Sequence, residues 1–183
     1  MNYFIDIRII PDTEMRDNLL MNSVYTKLHK VLVGRAATDI GVSFPQWKVL
    51  LGGVLRIHGT MDSLTLQEQS NWRGELADYC NVSEITPVPA NCQYRTISRK
   101  QPTMTQAKLN RLLKRGSITE VEVKQYKAKM FMKGLHSPYL ELQSGSNGHK
   151  YRRYIEFGEL QATPKAGRFD PFGLSKTAAV PWF

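Results

Sequence analysis

The chain has 183 residues, 42% of them hydrophobic, and 25 Lys and Arg against 16 Asp and Glu give it a formal charge of +9. Such a length and composition allow a buried core and exclude wholesale disorder. The positive charge favours a polyanionic partner, and nucleic acid is the commonest one for a basic protein. No apolar run approaches the ~20 residues of a transmembrane helix, so a membrane-spanning protein is also excluded.

The sequence favours a reduced cytoplasmic protein that carries no cofactor. Cys80 and Cys92 do not form a Cys-x-x-Cys pair, and no histidine–cysteine or carboxylate cluster has the spacing of a metal site. The N-terminus alternates and includes the acidic Asp6, which does not suit a signal peptide. A protein attached to a membrane surface needs a basic amphipathic anchor or a lipidation signal, and we find neither, so no membrane partner is expected.

The first 92 residues alternate between strand-like and helix-like periodicity. The predicted elements are a strand over Tyr3–Ile10, a helix from about Glu14 to just before Gly34, strands over Ile40–Phe44 and Val54–Gly59, a helix capped by Asp62 or Ser63 that runs to about Tyr79, and an edge strand over Val82–Val88. The order β-α-β-β-α-β predicts a ferredoxin-like domain over residues 1–92, with two helices on one face of an antiparallel sheet.

Residues 93–183 are more basic and predict a second domain. Its predicted elements are a strand over Gln93–Gln101, a helix through Ala107–Arg115 that Thr103 or Thr105 caps and Gly116 ends, a helix that opens at a Thr119 capping box and runs to about Lys133, a β-hairpin, and a segment over Leu160–Thr163. The fold class predicted for the whole chain is α+β, a ferredoxin-like domain followed by an RNA-binding part made of the basic helix and the hairpin.

Two features ahead of the hairpin predict contacts with nucleic acid. The helix through Ala107–Arg115 carries a leucine stripe, and its remaining surface carries the cations Lys108, Arg111, Lys114 and Arg115. Their spacing predicts contact with phosphates, and a solvated face is the alternative. Arg99 and Gln101 are two apart in an extended run and point the same way; arginine can recognise a guanine edge and glutamine an adenine edge.

The predicted hairpin concentrates hydrogen-bonding groups in its turn. The runs Tyr139–Leu142 and Tyr151–Ile155 flank a turn rich in Ser, Gly and Asn, residues that suit a tight reversal. The groups in and beside this turn are Ser144, Ser146, Asn147, His149, Lys150, Tyr151, Arg152 and Arg153. Such a hairpin can hold a phosphate and stack a base at once, and the alternative is a solvated basic hairpin.

His29 is a candidate general base in the cleavage of RNA. It falls at the edge of the apolar stripe of the first helix, and the unperturbed pKa of histidine lies near neutrality. Such a base removes the proton from a 2′-hydroxyl, which then attacks the adjacent phosphate without any metal. A histidine that satisfies a neighbouring residue is the alternative, and the competing histidines are His58, His136 and His149.

Taken in order along the chain, these residues resemble a known family. The segments that carry the resemblance are Asp6-Ile-Arg8, Lys27-Leu-His29, Ile40-Gly-Val-Ser-Phe-Pro45, Leu55-Arg-Ile-His58, Tyr94-Arg95, Ser98-Arg99 with Gln101, Leu142 with Ser144 and Ser146, Leu160-Gln161, Gly173-Leu-Ser-Lys176 and Val180-Pro-Trp-Phe183. Their order and spacing resemble the CRISPR repeat-processing endoribonucleases of subtype I-F, the Csy class of the RAMP superfamily.

The resemblance implies a metal-independent endoribonuclease. It implies binding of the repeat hairpin of precursor CRISPR RNA, cleavage at the 3′ base of the stem, and retention of the crRNA as a subunit of the type I-F surveillance complex. The residue roles that it implies are His29 as general base, Ser144 orienting the 2′-hydroxyl, Ser146, Asn147 and Tyr151 on the flanking nucleotides, Arg99 and Gln101 on the lowest base pairs, and the basic helix in the major groove. The alternative is a non-catalytic subunit that holds the same hairpin.

Two departures from the family pattern affect these implied roles. The basic helix is less rich in arginine than in the family, since Asn110, Leu112 and Lys114 occupy part of it. Where the family can carry a tyrosine near the active site, this chain has Phe172, which lacks a hydroxyl. Any contribution of that hydroxyl to the chemistry is therefore absent here.

Overall fold

The computed structural model describes residues 1–101, 104, 106–135, 137–144 and 148–183, with the main chain alone for 133–135, and has a mixed α/β fold. The elements are β1 (Tyr3–Ile9), α1 (Asp17–Gly34), β2 (Gly41–Ser43), β3 (Val54–Gly59), α2 (Met61–Gln69), a 3-10 helix (Gly74–Tyr79), β4 (Cys80–Val82), β5 (Thr86–Pro87), β6 (Gln93–Arg95), β7 (Ile97–Lys100), α3 (Gln106–Lys114), α4 (Glu120–Leu135), β8 (Tyr139–Gln143), β9 (Lys150–Phe157) and β10 (Val180–Trp182). The predicted caps Thr103 and Thr105, the candidate base His136, and the turn residues Ser146 and Asn147 lie outside the described residues.

The first sheet has the strand order β2-β3-β1-β4, with β5 also paired to β1. All of these pairings are antiparallel. Alternate residues of β1 and β3, among them Ile5, Ile7 and Ile57, are fully buried in a core shared with Leu28 of α1 and Leu64 of α2. The period-two pattern of the sequence therefore marks the face of the sheet that packs against the helices.

The second helix is shorter than the sequence predicts. Thr60 caps α2, because its hydroxyl accepts a hydrogen bond from the Ser63 main-chain N–H at 3.1 Å; the expected caps Asp62 and Ser63 lie inside the helix. The helix ends at Gln69 rather than near Tyr79, since Asn71 and Gly74 adopt φ values of 45° and 52°. A left-handed residue cannot continue an α-helix, so a 3-10 helix follows.

Two predicted strands are each divided by a tertiary contact. The expected edge strand over Val82–Val88 becomes β4 and β5, because the Ser83 hydroxyl accepts the Asp6 main-chain N–H at 2.9 Å between them. The expected strand over Gln93–Gln101 becomes β6, which pairs with β10, and β7, which pairs with β9. The segment over Leu160–Thr163 contributes a single bridge between Tyr94 and Gln161.

The C-terminal segment covers the other face of the first sheet. The Arg56 guanidinium is held by both carboxylate oxygens of Asp6, at 2.6 and 2.8 Å, and donates to the main-chain oxygen of Phe183 at 3.1 Å. The same guanidinium lies against the rings of Phe4 and Phe183, at 4.5 and 4.0 Å from their centres, and the two rings contact each other edge to face. A charge-assisted and cation–π cluster therefore fastens the end of the chain to β1 and β3.

The predicted hairpin is present as β8 and β9, which form a three-stranded antiparallel sheet with β7. Its buried residues Leu140, Leu142 and Ile155 belong to the same core as α1. In addition, the Asn22 side chain of α1 accepts the Glu141 main-chain N–H at 3.1 Å. The helix and the hairpin are thus packed together, and this contact positions the site described below.

Helices α3 and α4 follow their sequence signals closely. Leu109 of α3 is fully buried, and Gly116, with φ 63°, ends the helix. The Thr119 hydroxyl accepts the Glu122 N–H, while the Glu122 carboxylate accepts the Thr119 N–H, which is the predicted capping box. Of the helices in the described residues, none has the length and apolar composition needed to cross a bilayer.

Candidate active site

A cleft of about 550 Å³ opens between α1 and the hairpin. The residues that line it are Thr26, His29 and Lys30 from α1, Arg99 from β7, and Leu142, Gln143, Ser144, His149, Tyr151 and Arg153 from the hairpin. The structure therefore places His29 and Ser144, more than a hundred residues apart in sequence, in the walls of one cleft.

A hydrogen bond fixes the orientation and tautomer of His29. Its Nδ1 lies 2.8 Å from the main-chain oxygen of Pro171. Because a carbonyl oxygen can only accept, Nδ1 carries the proton and donates it, which leaves the lone pair of the neutral ring on Nε2. Nε2 is therefore the nitrogen that can take a proton from a substrate.

Phe172 supports the imidazole from one side. The two rings stack with centres 3.5 Å apart and planes 10° apart. The loop that carries Pro171 and Phe172 is held by Asp170. The Asp170 carboxylate accepts hydrogen bonds from the main-chain N–H groups of Phe172 and Leu174, at 2.8 and 3.0 Å. The phenylalanine found where the family can carry a tyrosine thus touches the candidate base through its ring face.

Tyr25 anchors the same loop from beneath. Its hydroxyl donates to the main-chain oxygen of Phe172 at 2.7 Å, and its side chain is fully buried. Burial raises the pKa of Tyr25 well above its ordinary value, with a smaller contribution from the negative charge of Asp170. The phenol therefore stays protonated and keeps donating to the loop.

The turn of the hairpin closes on Ser144. The Ser144 main-chain N–H donates to the His149 main-chain oxygen, and the Gly148 N–H donates to the main-chain oxygen of Ser144, both at 2.9 Å. Gly148 has a φ of 69°, a conformation that a side chain would strain. Ser144 directly follows β8 and lines the cleft.

Three side chains of the third sheet face this cleft. Arg99 pairs with Ile155, and Tyr151 pairs with Leu142, so alternation puts Arg99, Tyr151 and Arg153 on one face of the sheet. Arg99 also borders a smaller cleft of about 390 Å³, next to Arg168 and Lys176. Its position allows it to contact a bound polyanion from either side.

Gln101 and the cations of α3 lie on exposed surface. Gln101 follows the last residue of β7, is exposed, and is not among the described residues that line the cleft. The side chains in and just after α3 that are predicted to bind phosphates are exposed, whereas Leu109 is buried: Lys108, Arg111, Lys114 and Arg115. The predicted contacts of Gln101 and of this helix with RNA stay predictions.

The competing histidines occupy different environments. His58 is completely buried, and its Nε2 lies 2.8 Å from the Ser43 hydroxyl. Burial, reinforced by the charge of Arg56, lowers the pKa of His58 to about 3. It has no access to a substrate, whereas His149 shares the cleft with His29.

Arg153, one of the cations beside the predicted turn, lines the cleft although no particular role is predicted for it from the sequence. Arg153 is 6% exposed and its guanidinium lies 3.4 Å from the centre of the Phe172 ring. The alternation of β9 could have indicated this, since Arg153 stands two residues after Tyr151 and shares its face. Nothing local in the sequence indicates the contact with Phe172.

The comparison with known proteins assigns the family. The sequence profile Cas_Csy4, described as CRISPR-associated protein, matches residues 4–183. The chain belongs to the Cas_Csy4 family. The resemblance to the Csy class is thereby confirmed at the level of the family.

Two relatives of this Cas_Csy4 protein match over their whole length. The chain is 39% identical over 184 residues to a CRISPR-associated endonuclease Cas6/Csy4 of Escherichia coli (strain UTI89 / UPEC), with 100% of both chains covered. It is 36% identical over 187 residues to a protein of the same description from Pseudomonas aeruginosa (strain UCBPP-PA14), again over 100% of both. A solved CRISPR endoribonuclease Cse3 bound to a 19-nucleotide RNA aligns over 100% of both chains, with 12% identity and a TM-score of 0.42, too low to bear on the site.

Proposed function

We propose that this Cas_Csy4 protein is a metal-independent endoribonuclease that binds the repeat stem-loop of precursor CRISPR RNA and cleaves it at the 3′ base of the stem. The observation that carries the proposal is His29 in a cleft with Ser144, with Nδ1 bonded to Pro171 and Nε2 left as the basic nitrogen. The description of both relatives as endonucleases supports the same conclusion.

The proposed reaction is an internal transesterification. His29 Nε2 takes the proton of the 2′-hydroxyl, which Ser144 orients, and the 2′-oxygen forms a bond to the adjacent phosphorus. The bond from phosphorus to the 5′-oxygen breaks, and that oxygen leaves with a proton from water. The products are a 2′,3′-cyclic phosphate and a 5′-hydroxyl, and no metal takes part.

Recognition of the RNA hairpin is proposed to use residues 93–183. Tyr151, in the cleft wall, stacks a base beside the cut, with Ser146 and Asn147 on the flanking nucleotides. Arg99 and Gln101 contact the two lowest base pairs. The α3 cations lie on the phosphates of the stem. Residues 93–183 thus form the RNA-binding domain, and residues 1–92 the ferredoxin-like domain.

We also propose where the protein acts and which assembly it belongs to. As a type I-F enzyme of the RAMP superfamily, the protein is proposed to act in the cytoplasm and to keep its crRNA after cleavage. It then remains as a subunit of a crRNA-guided surveillance complex. The competing function is a non-catalytic subunit that binds the same hairpin without cutting it.

We expect the RNA stem-loop of its own CRISPR repeat to be cut in EDTA as fast as in Mg²⁺. The 3′ end of the upstream fragment should be a 2′,3′-cyclic phosphate, because the nucleophile belongs to the RNA itself. Mass spectrometry of the fragments identifies this end. A matched stem-loop with a single 2′-deoxynucleotide before the cut should bind equally well and stay intact. Tight binding of an unmodified stem-loop that remains whole would favour the non-catalytic subunit.

Replacing Arg115 with alanine tests the proposed role of the basic surface. Arg115 is exposed just after α3, so its loss should leave the fold intact and weaken binding of the stem-loop. If it neutralises one phosphate, the slope of log Kd against log salt should flatten by about one unit. Titrations at several salt concentrations give this slope. Lys48→Ala, which removes an exposed cation between β2 and β3, is the control. Equal slopes in the two variants would mean that Arg115 is a solvated surface residue that does not contact a phosphate.

A further inference from the structure

We propose that Arg153 is a further catalytic residue, whose guanidinium binds a non-bridging oxygen of the scissile phosphate and stabilises the negative charge that builds up there. This inference rests on the proposed endoribonuclease function and deepens it. No part of the family resemblance gives a role to this position. Arg153 is buried, its guanidinium has no carboxylate partner among the described residues, and it shares the Phe172 ring with His29.

Arg153 and His29 lie on opposite faces of one aromatic ring. The guanidinium carbon of Arg153 is 3.4 Å from the centre of the Phe172 ring, and the centre of the His29 ring is 3.5 Å from the same point. Two groups cannot both occupy this distance on one face, because their atoms would overlap. Phe172 therefore separates a general base and a cation by the thickness of a single ring, and both line the cleft.

The guanidinium of Arg153 is buried without an anion. Within the described residues, the other buried arginine is Arg56, and it has both oxygens of Asp6. Arg153 has no carboxylate within ion-pair distance there, and its Nε has no hydrogen-bond partner. Asp170, on the Phe172 loop, gives its carboxylate to main-chain N–H groups instead.

A buried cation without a counter-charge is costly, so its persistence points to a ligand that supplies the charge. The cleft that Arg153 borders is where the proposed reaction places a phosphate. Guanidinium groups bind phosphate oxygens with paired, charge-assisted hydrogen bonds. In the transition state the phosphorus carries five oxygens and the non-bridging ones gain negative charge, which a preorganised donor stabilises more than it stabilises the bound substrate.

The neighbouring arginine provides a matched contrast. Arg152 lies on the opposite face of β9, where its guanidinium is 4.4 Å from the centre of the Tyr139 ring and 3.8 Å from the Glu141 carboxylate. Its side chain is 52% exposed. Two arginines adjacent in sequence thus differ in burial, in partner and in access to the cleft. The same substitution at each position therefore distinguishes the loss of a surface cation from the loss of a phosphate ligand.

The test compares single-turnover cleavage of the repeat stem-loop by Arg153→Met, Arg153→Lys and Arg152→Met. Methionine keeps an unbranched side chain against Phe172 but has no charge. We expect Arg153→Met to cut about 100-fold more slowly than wild type, Arg153→Lys to recover much of the rate, and Arg152→Met to cut at the wild-type rate. The Kd of the 2′-deoxy stem-loop should change much less than the rate, and thermal unfolding shows which variants are folded.

A sulfur substitution at the phosphate gives a readout that a purely structural role would not move. A stem-loop with one non-bridging oxygen of the scissile phosphate replaced by sulfur should be cut more slowly than the normal RNA by wild type. This slowing should be smaller in Arg153→Met, because the contact between the guanidinium and the phosphate oxygen is already lost. It should be partly reduced in Arg153→Lys. A wild-type rate for Arg153→Met, or a sulfur effect as large as in wild type, would overturn the role of Arg153. A wild-type protein that does not cut would instead overturn the proposed function, and the role of Arg153 with it.

Discussion

Replacing His29 with alanine is expected to slow cleavage of the repeat stem-loop by about 100-fold to 10,000-fold, the range that general acid–base catalysis contributes. Without the imidazole, no group held by Pro171 is left to take the 2′-hydroxyl proton. Affinity for the stem-loop should stay close to that of wild type, since the proposed RNA contacts lie on the hairpin, β7 and α3. Single-turnover cleavage and equilibrium binding of the 2′-deoxy stem-loop measure the two effects separately.

A second substitution at His29 separates its position from its basicity. The amide of His29→Asn can still donate to the Pro171 oxygen that accepts from Nδ1 at 2.8 Å, but it cannot act as a base. It should therefore be as inactive as the alanine variant. His149→Ala is the comparison, because His149 borders the same cleft. Full activity of His29→Ala together with loss of activity in His149→Ala would transfer the general base to His149.

Replacing Asp6 with alanine is expected to lower the free energy of unfolding by about 3 kcal/mol, the lower end of what buried ion pairs lose, because the Arg56 and Asp6 side chains are 11% and 21% exposed. The Asp6 carboxylate accepts two hydrogen bonds from Arg56, whose guanidinium also lies against the rings of Phe4 and Phe183. Without the carboxylate, this buried cation loses its counter-charge. Urea denaturation followed by fluorescence gives the free energy of unfolding.

Glu141→Ala is the matched control for this stability prediction. Glu141 also pairs with an arginine, Arg152, but at 3.8 Å and with side chains that are 38% and 52% exposed. An exposed pair of this kind contributes about 0–1 kcal/mol. A loss in Asp6→Ala no larger than in Glu141→Ala would mean that water reaches Arg56, and that the C-terminal cover is weaker than its contacts indicate.

Local signals predict the elements whose partners are close in sequence. The first helix, the capping box at Thr119 and the hairpin from Tyr139 to Phe157 are present, because their hydrogen bonds and apolar periods are set within a few residues. Family membership also follows from the sequence. The wrong predictions concern the end of α2 and the two divided strands. The end of α2 is set by the left-handed backbone of Asn71 and Gly74, whereas the strands are divided by contacts, such as the Ser83 hydroxyl on Asp6, that join residues far apart in the chain.

The sequence by itself determined the family, the order of the elements, and the side chains available for chemistry at His29 and Ser144. The tertiary structure decided which of them meet. Packing of α1 against β8 brings His29 to the hairpin, and the Pro171 carbonyl, 142 residues away, sets its tautomer. The same packing turns Arg153 from one hairpin cation among several into a buried guanidinium on the Phe172 ring. Such contacts depend on how distant segments close on one core, which no local pattern specifies.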